Sequence, residues 1–121
     1  MRIVYDSRTG LGKKFAEKLF HPLQPISEPI HEPCILITRN TGLGQIPKST
    51  QTFLRQYGTL VRGVVVNGDR RFGRFYCAAG TKIEGLYRIP VIRNIEGEGT
   101  DEDVRAVAGS MQKLQSAGGD A

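Results

Sequence analysis

Short apolar runs alternate along this chain with longer amphipathic stretches. The runs at residues 3–5, 34–38, 60–66 and 89–95 are rich in β-branched side chains, and each is short enough for one buried strand. Each run leads into a polar or glycine-bearing segment, which is followed by apolar residues at helical spacing. This alternation predicts an α/β protein with a parallel sheet and helices on both faces.

Four segments carry the helical repeat. We predict helices over residues 13–20, 49–57 and 75–87, and a last helix that Thr100 caps at its N-terminus. Residues 21–33 contain four prolines, which exclude a long helix there but permit a brief edge strand over residues 23–26. The predicted packing stripes are Phe15, Ala16, Leu19 and Phe20 in the first helix, Phe53, Leu54 and Tyr57 in the second, and Val104, Val107, Ala108 and Met111 in the last.

The chain of 121 residues fits a single domain over 1–121, with a tail at 116–121 that we expect to fray. No apolar run approaches the roughly 18 residues that a membrane-spanning helix needs. The N-terminus is a strand that enters a polar turn and does not have the pattern of a signal segment. We therefore expect a cytoplasmic protein without a membrane partner.

The residues that usually carry metal or covalent chemistry are sparse. Cys34 and Cys77 lie far apart in apolar or small-residue surroundings, which favours buried, reduced thiols over a disulfide framework. His21 and His31 have no ligand set around them at metal-binding spacing, so we predict no metal site. No nucleophile–base constellation can be assembled, so we assign no catalytic residue and hydrolase chemistry has no support.

The chain carries a formal net charge of +5. A basic balance is compatible with nucleic acid, an anionic ligand or an acidic protein partner. The cations are spread along the sequence, without a Lys/Arg-rich run or an aromatic platform of the kind that binds RNA. The charge by itself does not choose between these partners, although nucleic acid has the least support.

Glycine and small polar residues follow three of the predicted strands. We call these segments the first loop (residues 6–12), the second loop (residues 38–47) and the third loop (residues 67–73). Because the carboxyl ends of parallel strands meet at one edge, all three loops are expected there, where such sheets bind ligands. The first would hold a phosphate at a helix N-terminus, and the other two would bracket a flat ring. Taken singly, each loop is equally compatible with a capped turn that only joins two elements.

Residues 7–10, 37–47 and 60–73 resemble the NrdI family, the small flavodoxin-like activators of class Ib ribonucleotide reductase. The resemblance implies an FMN-binding flavodoxin-like three-layer sandwich with strand order 2-1-3-4-5. It also implies a redox accessory protein, whose reduced flavin reacts with oxygen to give superoxide or peroxide. That oxidant would assemble the dimanganese–tyrosyl radical cofactor of the reductase small subunit, an NrdF-like partner. The electron donor would be a flavodoxin reductase or ferredoxin reductase.

Carried over by position, the resemblance also implies the FMN-binding residues. Gly42 and Gly44 would let a backbone carbonyl turn toward the flavin N5, and Arg39 and Arg70 would supply positive potential near the ring. The implied contacts to the phosphate are Ser7, Arg8, Thr9, Gly10 and Gly12, those on one side of the ring are Thr38, Asn40, Thr41, Gly42, Leu43 and Gly44, and those on the other side are Asn67, Gly68, Asp69, Arg70, Phe72 and Gly73.

Two positions depart from the family's pattern. Leu11 and Gly12 stand where the family often has Asn-Val, and Phe72 stands where it commonly has Trp. Stacking is kept in kind but over a smaller area, so we expect weaker FMN binding at most. Two other functions stay open at this point: an ordinary flavodoxin that shuttles electrons, and a basic α/β domain that binds a nucleotide or RNA.

Overall fold

A computed structural model describes the backbone of residues 1–119 and the side chains of residues 1–115. The described part forms one five-stranded sheet with the order β2-β1-β3-β4-β5, in which every paired strand is parallel. This confirms the predicted sheet. In chain order the elements are β1 (Arg2–Tyr5), α1 (Leu11–Glu17), β2 (Leu23–Pro25), β3 (Cys34–Arg39), α2 (Lys48–Tyr57), a 3₁₀ turn (Gly58–Leu60), β4 (Val61–Gly68), a second 3₁₀ segment (Arg70–Phe75), α3 (Ala78–Tyr87), β5 (Val91–Glu96) and α4 (Asp101–Gly119).

Alternate side chains of the central strands enter two separate cores, because successive residues of a strand point to opposite faces. Leu36 faces the core that α2 and α3 cover, whereas its neighbours Ile35 and Ile37 face the core that α1 and α4 cover. Val64, Val65 and Val66 are all fully buried, which confirms a central strand covered on both faces. The loops at the carboxyl edge therefore extend from a sheet that is packed on both faces.

Three details differ from the sequence-based predictions. Helix α1 ends at Glu17, and Phe20 lies beyond it with a φ of 57° and 94% exposure, so it is not part of the packing stripe. Helix α3 begins only at Ala78, because Gly73 and Cys77 both take positive φ values and interrupt the helical path before it. Ala108 is exposed, since α4 rests on the sheet through Val107 and Met111 instead.

The remaining elements follow the predictions closely. Residues 23–25 form the expected edge strand, and Thr100 caps α4, where its Oγ accepts a hydrogen bond from the Asp103 N–H at 3.1 Å. Helix α4 continues to Gly119, and residues 120 and 121 of the tail that we expected to fray lie outside the described residues. Among the helices of residues 1–119, none has the combined length and apolar character needed to span a bilayer.

Candidate functional site

A cavity of about 560 Å³ lies at the carboxyl edge of the sheet, where the three predicted loops converge. Its volume falls within the roughly 300–1,000 Å³ typical of small-molecule sites. A fourth segment, at the end of β5, also lines the cavity with Glu96 and Gly97. The lining residues are Asp6, Ser7, Arg8, Thr9, Leu11, Gly12, Arg39, Asn40, Thr41, Gly42, Asn67, Gly68, Asp69, Arg71, Phe72, Glu96 and Gly97.

The first loop is held by its own serine. The Ser7 Oγ accepts a hydrogen bond from the Gly10 N–H at 3.0 Å, and Gly10 occupies the N-cap position of α1 with a φ of 88°. Because no side chain caps the helix, its first N–H groups are left for solvent or a ligand. A Cβ at Gly12 would lie 3.4 Å from Ile37 Cγ2, so glycine lets α1 pack closely on the sheet. Arg8 and Thr9 are exposed.

The second loop is tied back on itself and onto α3. Thr41 and Gln45 exchange backbone hydrogen bonds of 3.0 and 2.8 Å around the turn. The Asn40 amide donates to the Phe75 carbonyl at 2.7 Å, and its Oδ1 accepts from the Ala79 N–H at 2.9 Å. These two hydrogen bonds hold the loop in place and leave the Asn40 side chain little hydrogen-bonding capacity for a ligand in the cavity.

The two glycines of the second loop face different surroundings. Gly42 has a φ of 54° and lines the cavity. Gly44 has a φ of 80° and is buried, and a Cβ built there would lie 2.6 Å from the Ala78 Cβ. Gly44 therefore serves the contact between the loop and α3. Thr38 is also turned away from the cavity, since it is 1% exposed and its Oγ1 lies 2.6 Å from the Thr50 Oγ1.

The third loop is more open. Asn67 and Gly68, which open the third loop in the sequence, still belong to β4, because the strand continues through both residues in register with β5. The Asn67 amide donates to the Gly97 carbonyl at 2.8 Å, which ties the third loop to the segment after β5. Beyond the strand, Asp69 accepts hydrogen bonds from the backbone and guanidinium of Arg71. Phe72 is left 51% exposed at the cavity wall.

The structure brings most of the sequence-predicted site residues together, but not all of them. Leu43 is 59% exposed and contributes nothing to the cavity wall, and Arg70 lies 73% exposed against Glu96. Some glycines of these loops are needed for the backbone turns and do not line the cavity. The predicted residues that do not line the cavity are Gly10, Thr38, Leu43, Gly44, Arg70 and Gly73.

Sequence reasoning left several lining residues out of the site, chiefly Asp6. The Asp6 carboxylate is 7% exposed, and its Oδ2 accepts hydrogen bonds from the Ser49 Oγ at 2.5 Å and the Thr50 Oγ1 at 2.6 Å. Its position directly before Ser7 was the available signal, but its partners lie more than forty residues away in the chain. The glycine-bearing segment at the end of β5 gave a similar signal for Glu96 and Gly97.

The charges around the cavity balance. Three arginines and three carboxylates line it, namely Arg8, Arg39, Arg71, Asp6, Asp69 and Glu96. The Arg39 Nη2 lies 3.7 Å from the Asp6 Oδ1, and the Arg70 Nε lies 3.8 Å from the Glu96 Oε1. The expectation that Arg39 and Arg70 give the cavity a positive potential is therefore not supported, because each faces a carboxylate. The excess of cations that gives the net charge of +5 lies elsewhere on the surface.

Asp69 in the third loop and Cys77 just after it have shifted pKa values. The hydrogen bond from the Arg71 guanidinium lowers the pKa of Asp69, so this carboxyl group stays charged well into the acidic range. Burial raises the pKa of Cys77 to about 11, and its thiol donates a hydrogen bond to the Val66 carbonyl at 3.2 Å. Cys34 and Cys77 are both buried and free, as predicted, and Cys77 is an inert part of the wall behind Gly68.

These residues fit FMN in size and in chemistry. The uncapped start of α1 suits a phosphate, and the half-exposed ring of Phe72 offers an apolar face to a flat ring system. The Arg39 Nε is buried without a hydrogen-bond partner, which is a donor that the described residues leave unsatisfied. The cavity thus combines an anion site, a stacking surface and a free donor.

Comparison with known proteins agrees with this geometry. Oxidised Flavodoxin 2 from Bacillus cereus has a TM-score of 0.69 at 19% identity, with 96% of this chain and 97% of that chain covered. A short-chain flavodoxin associated with a bacterial microcompartment has a TM-score of 0.74 at 15% identity, with 96% of both chains covered. At such identities these likenesses establish the flavodoxin fold alone.

Sequence comparison is more specific. Protein NrdI from Bacillus licheniformis is 33% identical over 117 residues, which cover 94% of this chain and 89% of that protein. The family model described as "NrdI Flavodoxin like" matches residues 3–109, and this range contains all three loops and every residue that lines the cavity. The chain therefore belongs to the NrdI flavodoxin-like family and is an FMN protein.

Proposed function

We propose that this protein activates the small subunit of a class Ib ribonucleotide reductase. The observation that carries the proposal is the family match over residues 3–109, which includes the cavity at the carboxyl edge. Bound FMN would supply the redox chemistry, in which electrons from a reductase pass to molecular oxygen and give the superoxide or peroxide that the small subunit needs for its dimanganese–tyrosyl radical. The protein's part is to hold, orient and shield the cofactor.

The first loop would hold the FMN phosphate. Its support is the uncapped start of α1, where backbone N–H groups and the positive end of the helix favour an anion. Arg8 lines the cavity and is exposed, so its guanidinium is free to approach a phosphate. Ser7 would act indirectly, because its hydroxyl already holds the loop through Gly10.

The second and third loops would bracket the flavin ring. Thr41 and Gly42 line one wall of the cavity, and Gly68, Asp69 and Phe72 line the other. Of the two glycines predicted to face the flavin N5, the surroundings favour Gly42, because Gly44 is buried against α3. The Gly42 carbonyl would accept the hydrogen of that nitrogen, and glycine permits the change of backbone angles that this requires.

We expect the partner to approach the exposed side of the second and third loops. Phe72 at 51% exposure and Leu43 at 59% exposure are large apolar side chains on the two loops that would flank the ring. Exposed apolar residues beside a redox centre suit a contact with another protein. A partner that binds there would shorten the path for a diffusing oxidant and shield it from bulk water.

The direct test begins with the purified protein and FMN under anaerobic conditions. The flavin is reduced stepwise, oxygen is admitted, and flavin absorbance and superoxide release are followed together. Rapid reoxidation with superoxide or peroxide release supports the proposal. In a second experiment the reduced protein, oxygen and a manganese-loaded class Ib small subunit are mixed, and the tyrosyl radical yield is measured by electron paramagnetic resonance.

Two outcomes would contradict this function. Slow reoxidation of the reduced protein together with efficient one-electron transfer to an acceptor protein would identify an ordinary flavodoxin. Radical yield no higher than that obtained with free FMN and reductant would also reject the activator function. A Gly42→Val variant provides a separate check on the second loop, since an unchanged reduction potential would reject the role of its carbonyl.

A further inference from the structure

Asp6 and Arg39, which both line the cavity, form an incomplete ion pair. The Asp6 Oδ2 is satisfied by two hydroxyl groups, those of Ser49 and Thr50, at 2.5 and 2.6 Å. Its Oδ1 faces the Arg39 Nη2 at 3.7 Å, which is too long for a hydrogen bond. Arg39 is therefore attracted to Asp6 by charge without being bound to it through a donated hydrogen.

The Arg39 guanidinium also has a donor with no partner. Its Nε is buried, and none of the described residues accepts a hydrogen bond from it. Arginine stays protonated in proteins, so it cannot lower this cost by losing its charge. A buried donor without an acceptor destabilises the side chain's position, and the penalty is larger when the group is charged. A hydrogen-bond acceptor within the cavity would therefore favour a different position of the Arg39 side chain.

The position of the pair limits where that acceptor can be. Asp6 follows β1 and Arg39 ends β3, and these neighbouring strands border the point where the strand order reverses and flavodoxin-like sheets bind their ligand. The backbone on both sides is fixed, because the Asp6 N–H donates to the Ile37 carbonyl at 2.8 Å and the Asn40 N–H donates to the Asn67 carbonyl at 3.1 Å. Only the Arg39 side chain, which is 25% exposed, is free to change its direction.

We propose that Arg39 recognises the uncharged part of FMN, its ring and ribityl chain, by turning from Asp6 into the cavity and donating to an oxygen acceptor there. The proposal rests on the FMN-binding function. A phosphate is the less suitable partner, because the Asp6 carboxylate beside Arg39 would repel a dianion. The first loop already offers a phosphate the start of α1 and the exposed Arg8. The cavity would thus divide recognition between two arginines, with Arg8 for phosphate and Arg39 for the remainder of the molecule.

Riboflavin, which lacks the phosphate, separates these two roles. Dissociation constants for FMN and for riboflavin are measured by flavin fluorescence with the wild-type protein and with the Arg39→Met and Arg8→Met variants. Arg39→Met is expected to weaken both flavins about tenfold or more, as for a lost charge-assisted hydrogen bond. Arg8→Met, the matched control, is expected to weaken FMN while leaving riboflavin within about twofold of wild type.

Two results with a flavin-binding wild-type protein would overturn the proposal alone: Arg39→Met weakens FMN but not riboflavin, or it weakens neither. A wild-type protein that binds no flavin would overturn the FMN function and this proposal together. Thermal unfolding of each flavin-free variant checks that the fold is intact. If Arg39→Met does not fold, Arg39→Lys keeps a cation beside Asp6 and is expected to weaken both flavins by a smaller, equal factor.

Discussion

The second and third loops are built from similar residues but do different work. The second loop is closed by backbone hydrogen bonds between Thr41 and Gln45, and Asn40 ties it to the start of α3. The third loop holds one local ion pair, between Asp69 and Arg71, and keeps Phe72 half exposed. The comparison shows that loops of similar composition at the carboxyl edge of a sheet are held in place to different extents, and that their tertiary contacts decide the extent.

The largest expected effect comes from substituting two glycines with positive φ, one in each loop. Gly44→Ala is expected to lower the free energy of unfolding by about 3 kcal/mol, because a Cβ there meets the Ala78 Cβ at 2.6 Å and the backbone at a φ of 80° is strained as well. Gly73→Ala carries the strain without the clash, since nothing lies within 4 Å, so about 1 kcal/mol is expected. Urea unfolding measures both, and equal losses would show that the second loop is no tighter than the third.

Asn40 and Asn67 provide the next comparison, because each asparagine braces one of the two loops. Asn40→Ala removes two hydrogen bonds and leaves the Phe75 carbonyl and the Ala79 N–H without partners, so a loss of about 2–3 kcal/mol is expected. Asn67→Ala removes one bond, to the Gly97 carbonyl, and about 1 kcal/mol is expected. The reverse order in chemical denaturation would contradict the distinction between a braced and an open loop.

Phe72 tests the third loop through ligand binding instead of stability. Phe72→Ala is expected to weaken FMN about tenfold, because it removes a stacking surface, while changing the unfolding temperature of the flavin-free protein little. Phe72→Trp restores the residue common in the family and is expected to tighten binding. Phe20→Ala is the matched control, an exposed phenylalanine that does not line the cavity, and its FMN affinity should equal wild type.

The smallest expected effect is the acid response of the third loop. Hydrogen bonds from Arg71 lower the pKa of Asp69 below that of an unfolded aspartate, which is about 3.9. The stabilisation is therefore fully present above that value and is lost as the pH falls through the lower, folded pKa. Carbon-detected titration of the Asp69 carboxyl group measures the shift. An Arg71→Gln variant in which Asp69 titrates at the same pH as in wild type would reject this assignment.

Much of the fold was predictable because local patterns agree with it. Alternating apolar runs and helical repeats indicated the parallel sheet, and the resemblance to the family supplied the strand order. The convergence of the loops followed from a general property of such sheets, that their strand ends meet at one edge. The exposure of Phe20 was not predictable, because it depends on α1 ending at Glu17 and on a left-handed backbone at Phe20 itself.

The sequence by itself determined which helices and strands form and, through the resemblance to the family, the order of the strands in the sheet. It also determined that glycine and small polar residues gather at the carboxyl edge of that sheet. Tertiary structure alone decided which of those residues face the cavity. Gly44 packs against α3, and the Asn40 amide donates a hydrogen bond to the backbone of another segment. Asp6 accepts hydrogen bonds from hydroxyl groups more than forty residues away and also lies close to Arg39. The physical reason is that a residue's type sets which contacts it is able to make, whereas its neighbours in space, brought together by the packed sheet and helices, set which contacts it makes.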